Sequence, residues 1–199
     1  IDLIDIFLED NHNKLSHILD VGCGNGWLSD RLKSNEYNNI SGCDFISENN
    51  SKSIINYKNT NLDIDGIQFK NHKFDIIFCS DVLEHLENPS NCLREIHRVL
   101  KSNGSIYLSV PNSVNIIQRY RFFRTGNSSR YKFHTNQYGH INLFTKPILN
   151  SLMNQQGFDN VEYCKGYCWY KNYFWFINKK FSDMFSYALY LKAHKININ

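Results

Sequence analysis

From position 18 the chain reads Ile18-Leu19-Asp20-Val21-Gly22-Cys23-Gly24-Asn25-Gly26. The apolar residues that lead into the glycines predict a short buried strand, His17 to Val21, and the residues that follow predict an amphipathic helix, Trp27 to Lys33. Glycine at every second position lets the backbone turn tightly and lets a ligand lie against it. We therefore expect a strand, a ligand-binding loop and a helix, with a tight turn that binds nothing as the alternative.

The spacing of the glycines disfavours two common nucleotide-binding loops. The dinucleotide pattern G-x-G-x-x-G would need a glycine where Trp27 stands. A P-loop would need Gly-Lys followed by Ser or Thr, and the loop has no such sequence. The loop therefore favours a ligand other than NAD or a nucleoside triphosphate.

Predicted strands and helices alternate on both sides of this loop. We predict helices at 1–8, 47–56 and 91–100, and strands at 39–45, 61–63, 74–79 and 105–110. Such an alternation predicts a mostly parallel sheet with helices on both faces. In sheets of this kind ligands bind outside the carboxyl ends of the strands, so the residues that follow the strands are the candidate site.

Acidic residues stand at several of these strand ends. Asp44 ends the second strand, where a carboxylate can accept both hydroxyls of a ribose or, alternatively, cap a helix. Asp63 ends the third predicted strand and can accept from an adenine amino group, while Asp20 can face an α-amino group. Together these residues predict a ligand with an amine, a ribose and an adenine but no phosphate.

Several motifs in this order resemble those of the class I S-adenosylmethionine (SAM)-dependent methyltransferases, in the small-molecule, ubiquinone-biosynthesis-like branch. Residues 18–26 resemble the first motif, and Gly42-Cys43-Asp44 resembles the next. The other matching segments are Phe74–Leu86 (FDIIFCSDVLEHL), Arg94–Lys101 with Gly104, and Gly139–Thr145 with Gly157-Phe158. Ser102-Asn103 replaces the family's usual Pro-Gly, and the resemblance covers roughly residues 15–160.

The resemblance implies an α/β fold, a Rossmann-like three-layer sandwich with a seven-stranded, mostly parallel sheet and an antiparallel C-terminal hairpin. It implies one domain over residues 1–199, with an acceptor-side lid at about 112–145 and an aromatic insertion at about 167–185. The implied cofactor is SAM. The residues expected to bind it are Asp20, Gly22, Cys23, Gly24, Asn25, Gly26, Asp44, Phe45, Asp63, Ile64, Ser80 and Asp81.

Histidines are the candidate catalytic residues. Methyl transfer requires alignment of the nucleophile and exclusion of water, and a hydroxyl nucleophile also benefits from a general base. His85 follows the fourth strand and His140 lies in the acceptor-side segment, with His134 nearby. We predict His85 and His140 as catalytic, with a structural hydrogen-bonding role as the alternative for each. Glu84 is expected to orient His85 or a loop amide.

Arginines alternate with aromatic residues between the fifth strand and the next helix. We predict that Arg121, Arg124 and Tyr138 bind a small acceptor that carries a carboxylate or a phosphate. Methyl transfer to RNA or DNA is an alternative, although Ser80-Asp81-Val82-Leu83 stands where amino-methylating nucleic-acid enzymes have Asn/Asp-Pro-Pro-Tyr/Phe. A non-catalytic protein of the same fold that binds a partner is a third possibility.

Charge is distributed unevenly along the chain. Residues 1–95 hold sixteen acidic and eight basic side chains, whereas residues 96–158 hold eight basic side chains and no acidic one. The division predicts two surfaces with different partners, or solvated surfaces without any, and the acidic half suits a positively charged sulfonium.

Apolar runs, the N-terminal residues and the cysteine spacings indicate the cellular location and the state of the thiols. No apolar run is long enough to cross a bilayer and the N-terminus is too acidic for a signal peptide, so we expect a cytoplasmic protein. The six cysteines lack paired spacings, which favours reduced thiols, and no motif calls for a metal. The Lys-aromatic mixture from Trp169 to Tyr190 is expected in the core, with a dimer interface or peripheral membrane contact as the alternatives.

Overall fold

The computed structural model describes residues 3–49, 51–126, 139–164 and 186–196. Its strands are β1 (Ile18–Val21), β2 (Ile40–Asp44), β3 (Asn56–Asn59), β4 (Phe74–Ser80), β5 (Leu100–Pro111), β6 (Phe158–Cys164) and β7 (Ala188–Lys195). Its helices are α1 (Leu3–Glu9), α2 (Trp27–Ser34), α3 (Pro89–Val99), α4 (Ile116–Thr125) and α5 (Lys146–Gln155), and a 3-10 turn spans Leu83–His85.

The strands form one seven-stranded sheet in the order β3-β2-β1-β4-β5-β7-β6. Strands β1 to β5 pair in parallel, and β7 pairs antiparallel with both β5 and β6. This arrangement confirms the predicted mixed sheet with its antiparallel C-terminal hairpin. Because the parallel strands run in one direction, β1, β2 and β4 end at the same edge of the sheet, followed by Gly22, Phe45 and Asp81.

Apolar side chains cover both faces of the central strands. Along β4, Ile76 and Phe78 join a cluster with residues of α1 and α2, whereas Ile77 and Cys79 join a second cluster with residues of α3 and α5. Successive side chains of a strand point to opposite faces, so the two clusters are the two sides of the sheet. The structure thus has helices on both sides of the sheet, as predicted, and β4 is nearly continuously buried.

Two predicted elements are wrong. Within the described residues of 47–56 there is no helix: the Asn49 side chain accepts the Ser51 amide at 2.8 Å, a local bond that competes with helical hydrogen bonding. The third strand is Asn56–Asn59 rather than 61–63. Asn61 accepts the Asp63 amide at 3.0 Å, so this segment turns and Asp63 does not end a strand.

Helix α4 lies after the carboxyl end of β5 and buries none of its side chains. Asn115 caps it by accepting the Gln118 amide at 2.9 Å, and Gly126 ends it. The remainder of the predicted lid, including His134 and Tyr138, and the predicted aromatic insertion at about 167–185 lie outside the described residues. Among the described helices, none combines the length and the hydropathy that crossing a bilayer requires.

Candidate active site

Gly22 and Gly24, in the loop between β1 and α2, differ in the space around them. Gly22 has a φ of +70°, and a Cβ there would lie 2.3 Å from Cγ2 of Val82, so packing and backbone conformation both require glycine. Gly24 also has a positive φ, +49°, but a Cβ there would meet nothing within 4 Å. The loop therefore packs tightly on one side and faces open space at Gly24.

Asp44, at the end of β2, fixes this loop. One carboxylate oxygen accepts the Gly24 amide at 2.8 Å and the other accepts the Ile46 amide at 3.2 Å. No helix begins in the described residues that follow, so the alternative role of Asp44 as a helix cap is excluded. Among the residues that the structure describes, each carboxylate oxygen accepts one backbone amide, which leaves a lone pair for a further donor.

Asp20, the residue two before Gly22, is buried and does not line the cleft at the carboxyl ends of the strands. It is 2% exposed and accepts the Ser29 hydroxyl of α2 at 2.8 Å. Burial, reinforced by the nearby Asp44 charge, raises its pKa to about 7, against the bond from Ser29 that lowers it. Its contact with Ser29 joins β1 to α2.

A cleft of about 630 Å³ opens at the carboxyl ends of the parallel strands, a volume typical of small-molecule sites. The predicted site residues that line it are Gly22, Asp44, Phe45, Asp63, Asp81 and His85. The predicted cofactor-binding and catalytic residues that do not line the cleft are Asp20, Cys23, Gly24, Asn25, Gly26, Ile64, Ser80 and His140. The lining residues that sequence reasoning missed are Thr60, Asn61, Leu62, Leu86, Glu87, Gly139 and Ile141. Leu86 lies in the motif Phe74–Leu86, and Asn61 and Leu62 directly precede Asp63. Their position next to predicted site residues could have indicated that they line the cleft.

Asp63 forms hydrogen bonds between two segments that line the cleft. Its two carboxylate oxygens accept the backbone amides of Glu87 and Asn88 at 3.1 and 2.9 Å. These amides belong to the segment that leads into α3, while Asp63 belongs to the turn after β3. Asp63 thus lines the cleft from a turn rather than from a strand end.

Asp81 follows β4 in a left-handed conformation, with a φ of +53°. Ser109 of β5 stabilises it, since its backbone carbonyl accepts the Asp81 amide at 3.0 Å and its hydroxyl donates to the carboxylate at 3.1 Å. The Ser80 hydroxyl lies 2.9 Å from that of Ser109, which places Ser80 in support of Asp81.

The two predicted catalytic histidines meet at one end of the cleft. The rings of His85 and His140 lie edge to face with centroids 4.8 Å apart. The Glu84 carbonyl accepts the amides of Ile141 and Asn142 at 2.8 and 3.1 Å, which holds the segment of His140 against the 3-10 turn. Burial and the neighbouring His85 lower the pKa of His140, although Asp81 opposes the shift, so the imidazole is neutral near pH 7.

Glu84 is the least solvated acid at this end of the cleft. It is 1% exposed, and neither carboxylate oxygen has a hydrogen-bond partner among the described residues. Burial, with the Asp81 charge adding to it, raises its pKa to about 8. The sequence predicts that Glu84 orients His85 or a loop amide, but not that it is buried, because the apolar neighbours of a Glu in such a motif do not mark it as buried.

The cleft has a strongly acidic wall. Asp44, Asp63, Asp81 and Glu87 line it, and no lysine or arginine of the described residues does. Such a wall favours a cationic ligand. Arg121 and Arg124 lie on α4 and are absent from the cleft lining, and Tyr138 falls outside the described residues.

Residues 1–163 match a protein family described as a methyltransferase domain. The ubiquinone biosynthesis O-methyltransferase of Actinobacillus pleuropneumoniae is 31% identical over 108 residues, which cover 48% of this chain and 45% of that protein. The tRNA U34 carboxymethyltransferase of Nautilia profundicola is 37% identical over 101 residues, which cover 46% of this chain and 33% of that protein. The chain thus matches less than half the length of these relatives.

The fold also has solved counterparts. A SAM-dependent methyltransferase from Archaeoglobus fulgidus superposes with a TM-score of 0.66 at 15% identity, covering 97% of this chain and 92% of the other. The family match spans most of the chain, and the sheet order and the glycine loop agree with it. The chain therefore belongs to the class I SAM-dependent methyltransferase family, whose cofactor is S-adenosylmethionine.

Proposed function

We propose that this chain transfers a methyl group from SAM to oxygen or nitrogen of a small-molecule acceptor. The observation that carries the proposal is the glycine loop held by Asp44, with open space beside Gly24, at the rim of an acid-lined cleft. Similarity to a ubiquinone biosynthesis O-methyltransferase supports a small acceptor.

The residues of the cleft suit SAM. The loop from Gly22 to Gly26 is proposed to hold the amino-acid end, and the free lone pairs of Asp44 to accept the ribose hydroxyls. Phe45, 53% exposed, and Leu62 offer apolar surface for the adenine, with Asp63 beside it. When bound, SAM supplies a methyl group made electrophilic by its positive sulfur, a charge that the acidic wall favours.

At the other end of the cleft, His85 and His140 are proposed to act on the acceptor. A neutral imidazole can accept the proton of a hydroxyl nucleophile. It can alternatively bind a metal ion that lowers the pKa of the hydroxyl, and the two uses exclude each other at a given nitrogen. Gly139 and Ile141 line this end beside the histidines.

We further propose that the acceptor carries an anionic group bound by Arg121 and Arg124 of α4, with Tyr138. Support comes from the position of α4 after the carboxyl end of β5, the edge at which the cleft opens. Charge reversal of both arginines to glutamate is expected to raise the KM of an anionic acceptor at least about tenfold. The matched control is Lys33→Glu on α2, an exposed cation, for which we expect no change.

The experiment is an assay of S-adenosylhomocysteine released in the presence of phenols, amines and their carboxylated or phosphorylated analogues. Product with at least one acceptor, lost in Asp44→Ala and retained in Asp159→Asn, would support the proposal. Asp159 is an exposed acid on the edge strand β6 and serves as the matched control. A folded protein that binds SAM but releases no product with any acceptor class would favour the non-catalytic alternative.

Methyl transfer to RNA is the second candidate, and helix α4 is the observation that favours it. Arg119, Arg121 and Arg124 alternate there with exposed aromatic side chains, of which Phe123 is 91% exposed. Interleaved cations and aromatic rings suit stacked bases on a charged backbone. Salt-dependent RNA binding that is lost in the double arginine variant, together with methylated RNA product, would replace the small-molecule proposal.

A further inference from the structure

We propose that Glu84, His85 and His140 form a binding site for one divalent transition-metal ion at the acceptor end of the cleft. The site itself is independent of the proposed function. Only the ion's proposed role, lowering the pKa of an acceptor hydroxyl, rests on the proposed methyl transfer.

The ligand atoms of the three residues are already close together. One atom from each side chain lies within 4.8 Å of the other two, and Oε1 of Glu84 is 4.0 Å from Nε2 of His85. Nitrogen and oxygen ligands on a tetrahedral zinc ion are about 3.3 Å apart, from metal–ligand distances of about 2.0–2.1 Å. Closing the site around an ion would require these atoms to approach one another by about 1 Å.

The second observation is an unsatisfied buried carboxylate. Glu84 is 1% exposed, and both of its carboxylate oxygens lack a hydrogen-bond partner among the described residues, as does Nδ1 of His85. Ionisation of a buried carboxyl group is unfavourable unless the charge is paired or binds a metal. A cation between Glu84 and the imidazoles would supply the missing partner.

The backbone holds these ligands in place. His140 is sequence-distant from the other two, yet the Glu84 carbonyl accepts the amides of Ile141 and Asn142. The Asn142 side chain also donates to the Leu86 carbonyl at 2.6 Å, on the other side of the turn. These hydrogen bonds therefore fix the segment of His140 relative to the 3-10 turn that carries Glu84 and His85. Asp81 interacts electrostatically with both imidazoles, which adds negative charge beside the site.

The donor set decides the class of ion. Two imidazole nitrogens and one carboxylate oxygen suit zinc, iron, cobalt or manganese, whereas magnesium and calcium prefer oxygen ligands. His85 lines the cleft, so an open coordination position would face the acceptor. An acceptor hydroxyl placed there would have a lowered pKa: its O–H bond breaks, the oxygen keeps the electron pair, and the proton leaves to solvent.

The test uses the full chain after treatment with a chelator and dialysis. Cobalt(II) is added as a spectroscopic probe, and zinc(II) affinity is measured by competition with a chromophoric chelator. We expect about one ion per chain and visible cobalt absorption typical of nitrogen and oxygen ligands. Glu84→Gln and His140→Gln should each weaken zinc binding at least about tenfold, since both remove a ligand.

The matched control is His17→Gln, an exposed histidine at the amino end of β1, opposite the cleft, for which we expect wild-type affinity. Circular dichroism establishes that each variant is folded, and His140→Gln is available if Glu84→Gln does not fold. Absence of zinc binding by the folded wild type, or equal affinity in all variants, would overturn the proposal.

The same samples are titrated with SAM. Metal binding without SAM binding would leave the site in place and refute the proposed function. SAM binding without metal binding would refute the site and leave the histidines as candidate bases.

Discussion

Asp44 accepts the amide hydrogen of Gly24 at 2.8 Å, which joins the loop after β1 to the end of β2. The two segments come together because β1 and β2 are parallel neighbours with Val21 opposite Cys43. Further contacts to the Cys43 carbonyl, from the amides of Gly22 at 2.8 Å and Cys23 at 3.3 Å, fix the start of the loop. The shape of the glycine loop is thus set by its neighbour strand as well as by its own sequence.

Alanine at Gly22 and at Gly24 should have different consequences. At Gly22 the new Cβ would overlap Val82, so we expect a loss of unfolding free energy of about 2–4 kcal/mol. At Gly24 only the positive φ opposes alanine, at about 1–2 kcal/mol, but the Cβ would project into the open space proposed for SAM. Urea unfolding measures the first effect and SAM affinity the second.

If the two alanine variants lose equal stability, the distinction between a packed and an open side of the loop is wrong. If Gly24→Ala binds SAM as the wild type does, that side does not face the ligand.

Asp20→Asn should stabilise the protein at high pH. Burial raises the pKa of Asp20 to about 7, so between about pH 4 and pH 7 the folded state holds a proton that the unfolded state has lost. Stability from this group therefore falls as pH rises through that window. Asparagine cannot ionise, and we expect it to add about 2–4 kcal/mol at pH 8, with less than half of that gain at pH 5.

Urea unfolding of the wild type and Asp20→Asn at pH 5 and pH 8 measures this difference. Asp159→Asn, which removes an exposed carboxylate, is the control and should change stability little at either pH. A destabilised Asp20→Asn at pH 8 would mean that the Asp20 carboxylate is stabilised in place rather than strained by burial.

Asn142→Ala should loosen the segment that carries His140. The side-chain amide of Asn142 donates to the Leu86 carbonyl, and its loss should cost about 1–2 kcal/mol. Hydrogen exchange at the amides of Ile141 and Asn142 should become faster, because their bonds to the Glu84 carbonyl lose support.

The control for this change is Asn39→Ala, which removes a comparable bond, 2.9 Å long, to the Leu15 carbonyl. It should leave the exchange of both amides unchanged. Equal exchange in Asn142→Ala and wild type would show that the segment of His140 is held by other contacts.

The central part of the fold could be predicted because its signals are local. The apolar run into Gly22, the alternation of strands and helices, and Asp44 at a strand end are each visible within a few residues. The third strand could not be predicted in the same way, since β3 lies at the edge of the sheet and its polar residues, Asn56–Asn59, lack a buried pattern. Its pairing with β2 is a tertiary effect that overrides weak local propensity.

The acceptor end was less accessible to sequence reasoning for a related reason. Both His85 and His140 could be named, but their contact depends on backbone bonds between Glu84 and the segment at 141–142. The burial of Glu84 is equally a product of this packing. The three proposed metal ligands do not follow one another at a spacing typical of metal-binding motifs, so no such motif is visible in the sequence.

SAM is expected to bind in the cleft beside Asp44, and isothermal titration calorimetry of SAM into the purified chain tests this most directly. We predict micromolar affinity in the wild type and in Asp159→Asn, a loss of at least about tenfold in Asp44→Ala, which removes hydrogen bonds to a charged group, and no binding of NAD. A folded wild-type protein that gives no binding heat with SAM at any temperature, or an Asp44→Ala variant that binds SAM as tightly as the wild type, would contradict the account.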